Sequence, residues 1–389
     1  MLTADIINQE WSMLLHDFDP TMKKKNLKEA YTQAGWNDEH FKKFKSFFEL
    51  GFKEHKNFFK DHDYSWITDK NSYSFIIEPF AQAIALDTVV ENWANDKKYN
   101  QQYENICVRQ SASWNILNST PRTLNPYIIR WIIVPYIWDE ALGLIFSGLL
   151  KCINIEKISI NGAITHTIED KTFTKAHTFW DALIARSIAG NIKDAGKQYI
   201  LPKHIQDIEK KLSAINALKI TQDVNNEMLA LFRSLALAFS IAHEVGHILT
   251  DKKYDKVSQE LNADTLALAG LYHCNNSLMG ISNKPIDRQT YTVMSGLMFL
   301  TATSIIHNLI AQTETSPFIK DNLQASKKLT EARINFYTVN ATKILHAQNS
   351  SKTVYYSFHS LRATLTEYAA SFFSYIETHK NKLSTPHHP

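Results

Sequence analysis

Apolar and polar positions follow a helical period over most of this chain. Apolar residues that recur at three- and four-residue steps predict helices near 175–189, 203–218, 222–249, 257–273 and 287–311, with two more closing the chain. Between about Cys107 and Thr172 the period changes to the alternation that is typical of strands, and Asn161-Gly162 favours a tight hairpin turn there. We therefore expect a mainly α fold with a small β-sheet, in the α+β class.

The first hundred residues are rich in lysine and phenylalanine. Phe41, Phe44, Phe48 and Phe52 recur on one face of a predicted helix whose other faces carry lysines. Such a helix faces a core, or it docks on an anionic membrane or a partner. We expect three regions: a helical Lys/Phe-rich region over 1–100, a small α+β region with a hairpin over 101–200, and a helical zinc-binding catalytic region over 201–389.

Composition supports a folded protein with long helices. The chain has 389 residues, a length typical of two or three domains, and its 44% hydrophobic and 21% charged content argues against intrinsic disorder. Glycine contributes 11 residues and proline 10, so few residues interrupt helices.

Charge and cysteine content limit the partners and the compartment. A net charge of +3 predicts no nucleic-acid partner. Three widely spaced cysteines predict neither a disulfide framework nor a thiolate metal site, and no signal-like segment opens the chain, so we expect a cytoplasmic protein. Three long apolar stretches, 127–150, 228–249 and 291–311, contain charged or polar residues, and we interpret them as buried helices rather than membrane spans.

The segment SIAHEVGHILT carries the candidate chemistry. His243 and His247 are four residues apart, so on a helix they project from one face and two imidazole nitrogens can meet one ion. Glu244 lies on the same side, where a carboxylate can accept a proton from a water on the metal without binding the metal itself. We therefore predict a zinc site, one ion per chain, with Glu244 as the general base.

A third ligand is expected on the next helix, in SQELNADTLALAG. Ser258 is a candidate cap, Glu260 lies in the first turn, and Asp264 follows one turn later on the same face. We predict that Glu260 is the third ligand and that Asp264 accepts the second ring N–H of His243 or His247. Small residues, Gly246 and Ala263, would let the two helices approach closely.

An H-E-x-G-H helix followed by E-x-x-A-D on a second helix resembles the gluzincin metallopeptidases, including HtpX-like, Lit-type phage-exclusion and ImmA/IrrE-like peptidases. The likeness covers about thirty residues, from His243 to His273, and the gap between His247 and Glu260 is short for the class. It implies a zincin-like catalytic core within helices and a zinc endopeptidase of bacterial stress or phage defence that cleaves a protein or peptide. The resemblance implies His243, His247 and Glu260 as ligands and Glu244 as base.

An oxyanion donor is also expected, because a developing negative charge needs a hydrogen-bond donor about 3 Å away. His307 is our first candidate, in an otherwise apolar helix where a core histidine is the competing interpretation. The other residues of suitable chemistry are Tyr272, His273, Tyr291 and Arg333. For substrate recognition, a strand within 152–168 is expected to offer its edge to an extended peptide. Two alternatives stay open: a structural-zinc interaction or sensor protein without proteolytic activity, and a metal-free helical protein.

Overall fold

The computed structural model describes residues 4–17, 78–95, 105–111, 121–124, 128–157, 164–194, 226–250, 254–273, 285–313, 317–347 and 352–383. Within these ranges the protein is mainly α-helical with little β-sheet, and this fold class confirms the prediction. The phenylalanine stripe, the predicted helix at 203–218 and the Asn161-Gly162 turn lie outside the described residues.

The described helices, in chain order, are α1 (Ala4–Asp17), α2 (Glu78–Asn95), α3 (Tyr136–Cys152), α4 (His177–Asp194), α5 (Asn226–Leu249), α6 (Lys256–His273), α7 (Pro285–Thr313), α8 (Pro317–Ala347) and α9 (Lys352–Leu383). The described strands are β1 (Ile106–Ser111), β2 (Arg122–Leu124), β3 (Arg130–Pro135), β4 (Ile153–Lys157) and β5 (Ile164–Ile168). A short 3₁₀ turn, Thr174–Ala176, precedes α4.

Helix α3 interrupts the region for which the sequence pattern predicted strands. The strand ends at Pro135, whose backbone is extended (φ −66°, ψ 141°), and the helix begins at Tyr136. Both β3 and α3 are almost completely buried, and a buried strand and a buried helix produce the same continuous apolar run. The pattern of apolar and polar residues therefore could not distinguish strand β3 from helix α3.

The strands form two small sheets. In the three-stranded sheet the order is β1-β3-β2: β1 is parallel to β3, with Ile106 opposite Arg130, and β2 is antiparallel to β3, with Thr123 opposite Ile132. Strands β4 and β5 form an antiparallel pair with Ile155 opposite His166. The short strand β2 contacts α5 and reaches the candidate site.

Helix side chains cover strand edges. Gln82 of α2 donates to the carbonyl of Ile106 at 2.9 Å and accepts from the N–H of Val108 at 2.8 Å, so it completes the hydrogen bonds of β1 as a neighbouring strand would. On β5, the N–H groups of Ile164 and His166 donate to hydroxyl groups of α9 at 2.8 and 2.7 Å. The expectation that this region offers an edge to a peptide is therefore wrong for β5, because α9 occupies that edge.

Helix α7 lies at the centre of the helical part. It packs against α5, α8 and α9, and one hydrophobic cluster runs from Ala81 to Ile376 through these helices. Two described segments, Met228–Leu249 and Thr290–Gln312, are long and apolar enough to cross a membrane. In this fold 72% and 94% of their most apolar windows are buried against other parts of the protein.

Candidate metal centre

The candidate metal centre lies where the end of α5 meets the beginning of α6. Gly246 makes the contact possible: a Cβ added there would lie 2.6 Å from both the Cα and the carbonyl oxygen of Ala263. The two backbones are thus in direct contact, as the two small residues predicted. His243 and His247, on the same face of α5, are brought against the first turns of α6.

The start of α6 differs from the prediction. The helix begins at Lys256, and Asp255 caps it by accepting hydrogen bonds from the N–H of Ser258 at 3.0 Å and from its hydroxyl at 2.6 Å. The prediction of Ser258 as the cap is wrong, because the carboxylate three residues earlier is a stronger acceptor for the unpaired N–H groups of the first turn. Glu260 consequently lies one turn inside the helix.

Three side chains converge in the geometry of a metal site. The Nε2 atom of His243 is 3.3 Å from Glu260 Oε2, and the Nε2 atom of His247 is 3.5 Å from Glu260 Oε1. One ligand atom from each residue lies within 4.8 Å of those of the other two. Among the described residues, this is the cluster of histidine, cysteine and acidic side chains that can hold a metal.

These distances suit zinc. With Zn–N and Zn–O bonds of about 2.0–2.1 Å in a tetrahedron, two ligand atoms lie about 3.3–3.4 Å apart. Each histidine is close to that distance from one oxygen of Glu260, His243 from Oε2 and His247 from Oε1, and the two-histidine, one-carboxylate donor set is one that zinc uses in catalytic sites. The three residues therefore fit the metal that the sequence predicts.

Asp264 orients the first histidine. Its Oδ1 atom is 2.9 Å from Nδ1 of His243, and its side chain is 1% exposed. Because Nδ1 donates its proton to Asp264, Nε2 carries the lone pair that faces Glu260. A lone pair and a carboxylate at 3.3 Å repel each other unless a proton or a metal ion lies between them.

The pKa values of His243 and Glu260 indicate that a positive charge between them is favourable. Burial and Arg333 lower the pKa of His243, but Asp264 and Glu260 together raise it to about 9. Burial alone would raise the pKa of Glu260, yet its hydrogen bonds with both histidines and the charge of Arg333 hold that pKa well below the usual range. In the absence of metal, a proton on His243 therefore takes the place of the ion.

Arg333 of α8 is the fixed positive charge of the centre. Its Nε and Nη2 atoms donate to the two oxygens of Asp264 at 2.8 and 2.7 Å, and its Nη1 atom lies 3.0 Å from Glu260 Oε2. The Nη2 atom is also 3.3 Å from both ring nitrogens of His243. One nitrogen cannot lie along both lone-pair directions, so we interpret this as a packing contact.

Glu244 is held by a residue that the sequence did not indicate. Thr123 of β2 donates from its hydroxyl to Glu244 Oε2 at 2.8 Å, and the same hydroxyl lies 3.2 Å from the Glu244 carbonyl oxygen. Glu244 is 8% exposed, and its charge acts on Arg333. No local pattern could have paired residues 121 positions apart in the chain.

Apart from Arg333, the candidate oxyanion donors lie on α6 and α7. His307 lies on α7, 3.4 Å from the hydroxyl of Thr330, and burial lowers its pKa to about 4, so it is neutral at physiological pH. The charges of Arg333 and Glu260 also act on the pKa of His307, and His307 is not one of the three clustered residues. Tyr272 lies near the end of α6 and Tyr291 in α7, and the His273 side chain is outside the described residues.

Comparison of the chain with protein-family models, with curated proteins and with solved structures finds no match. The interpretation of the metal centre therefore depends on the residues and distances of this chain.

Proposed function

We propose that this protein is a zinc-dependent endopeptidase in which His243, His247 and Glu260 hold one zinc ion and Glu244 is the general base. The observation that carries the proposal is the convergence of the three ligand atoms within 4.8 Å, with Glu244 next to the ligand His243 on the same helix. The choice of a peptide bond as substrate, and a role in bacterial stress or phage defence, rest on the resemblance of H-E-x-G-H and E-x-x-A-D to the gluzincins.

Exposure favours a catalytic over a structural site. The His243 side chain is 4% exposed, but those of His247 and Glu260 are 23% and 18% exposed. A structural zinc site is closed by four protein ligands, whereas a catalytic site keeps one position for water or substrate. Three protein ligands with one accessible side leave room for that fourth position.

Each residue then has a defined task. Zinc, when bound, supplies a Lewis acid that polarises the substrate carbonyl and makes a water molecule acidic near neutral pH. The Glu244 carboxylate accepts that proton and later returns it to the leaving amine. Thr123 fixes the direction of Glu244 through its Oε2 atom, so Oε1 is the atom available for proton transfer.

Glu244→Gln tests the proposal. The amide keeps the size of the side chain but cannot accept the proton, so we expect zinc content to stay near one per chain and proteolysis to fall by about 10²–10⁴-fold. Elemental analysis measures the metal, and mass spectrometry of a peptide library and of unfolded casein measures cleavage. His243→Gln is the metal-loss control, because it removes a ligand and should abolish both zinc binding and cleavage.

Two results would exclude the proposal in different ways. Cleavage by Glu244→Gln at the parent rate would show that the base is elsewhere. A parent protein that binds zinc but cleaves neither the library nor casein, and that unfolds on chelation, would instead identify a structural-zinc interaction or sensor protein.

A further inference from the structure

The metal centre has a buried cation of its own. Arg333 is 5% exposed, comes from α8, and reaches both acidic residues of α6 with three hydrogen bonds or ion contacts between 2.7 and 3.0 Å. Its guanidinium also lies 5.6 Å from the ring centre of Phe299, beside His243. The side chain is therefore fixed on all sides rather than extended into solvent.

This cation lies between two acidic side chains. Glu260 and Asp264 are one helical turn apart on α6, and two carboxylates so placed are costly to bury without a counter-charge. Arg333 bridges them. The contact with Glu260 uses the Oε2 atom, which is the same oxygen that faces His243 Nε2 at 3.3 Å.

We propose that Arg333 is an internal counter-ion that holds Glu260 and Asp264 in place in the metal-free protein, and that an incoming zinc ion competes with it for Glu260. The inference rests on the proposed metal site. It has two consequences: the protein folds without zinc, so the ion is exchangeable, and Arg333 weakens zinc binding because its charge competes with the ion for Glu260.

Arg333→Met tests both consequences, because methionine keeps much of the side-chain volume and removes the charge. Without Arg333, the acidic pair loses the cation that contacts both carboxylates, so we expect the melting temperature in chelator to fall by on the order of 10 °C. Added zinc should restore most of that loss. The parent protein should unfold in one transition in chelator and gain much less from zinc.

The same variant gives a second readout that a purely structural role would not produce. Removal of a positive charge next to Glu260 should increase zinc affinity, by about tenfold or more, in competition titrations with a chromophoric chelator. If Arg333 served to position the ligands for the metal, its loss would decrease affinity instead. Equal or weaker zinc binding by Arg333→Met therefore overturns the proposal.

Two further variants control the experiment. Arg333→Lys keeps the charge with fewer hydrogen-bond donors, so it should lose at most half of the stability in chelator that Arg333→Met loses. If Arg333→Lys were as unstable as Arg333→Met, the charge argument would be overturned.

Arg233→Met is the control outside the centre, because it removes another arginine–aspartate pair, that of Arg233 with Asp139. Its melting temperature should fall equally with zinc and with chelator. If Arg333→Met fails to fold in chelator, it is purified with zinc and titrated from that state.

Failure of this inference is distinguishable from failure of the proposed function. A zinc-dependent melting temperature of Arg333→Met in a protein that cleaves no peptide would support the counter-ion and exclude the peptidase. Cleavage that depends on Glu244, together with a zinc-independent melting temperature of Arg333→Met, would support the peptidase and exclude the counter-ion.

Discussion

Gly246→Ala is the substitution that tests how α5 and α6 are held together. The added Cβ would lie 2.6 Å from two backbone atoms of Ala263 and 3.0 Å from a third. Ordinary contacts of a methyl group are about 3.5–4.0 Å, so the helices must separate by about 1 Å. Backbone atoms cannot turn away as a flexible side chain can.

Two opposing terms decide the stability of this variant. Alanine improves helix propensity over glycine by about 1 kcal/mol, whereas overpacking costs about 1–3 kcal/mol. We expect the free energy of unfolding to fall by up to about 2 kcal/mol in chemical denaturation. Because metal sites tolerate deviations of about 0.2 Å, a separation of about 1 Å between the histidines and Glu260 should lower zinc affinity at least tenfold.

Gly143→Ala in α3 is the matched control. There the nearest atoms to an added Cβ belong to the Arg233 side chain at 3.8 Å, an ordinary contact. The same chemical change should raise the free energy of unfolding by about 0.5–1 kcal/mol and leave zinc affinity unchanged. If Gly246→Ala were as stabilising as Gly143→Ala and bound zinc as the parent does, the close contact of α5 and α6 would be refuted.

Two other predictions concern Thr123 and His166. Thr123→Val keeps the shape of the side chain but removes the hydrogen bond to Glu244, so kcat/KM should fall about tenfold with zinc content unchanged. Thr123→Ser keeps the hydroxyl and should retain activity. Equal rates for the valine and serine variants would contradict a role of this hydrogen bond in orienting Glu244. Burial lowers the pKa of His166 to about 4, below the value of 6.5 in the unfolded chain. The unfolded chain therefore binds the proton first, and the free energy of unfolding should fall by about 3 kcal/mol as the pH drops from 6.5 to 4. Denaturation across this range should show a shallower decline for His166→Phe, and parallel curves would exclude this source of acid sensitivity.

The part of the site that the sequence predicts is local. His243, Glu244 and His247 share one helix, and Glu260 and Asp264 share the next, so the 3.6-residue period places each group on one face before any tertiary contact is known. Gly246 and Ala263 indicated where the two faces meet. The same local reasoning predicted the helical fold class.

The remainder depends on contacts between distant segments. Thr123 reaches Glu244 from a three-residue strand, and Arg333 reaches Asp264 across 69 residues, and neither pairing leaves a periodic signal. Its chemistry makes Arg333 a candidate donor to an oxyanion, but its bonds to two carboxylates depend on the position of α8. Strand β1 pairs with β3 in parallel, which no hairpin signal could indicate.

The measurement that tests the central claim most directly is anomalous scattering at the zinc edge from crystals grown without added metal. We predict one peak per chain, about 2.0–2.2 Å from a nitrogen of His243, a nitrogen of His247 and an oxygen of Glu260. A map with no peak between these side chains, or with the metal bound elsewhere, would contradict the account.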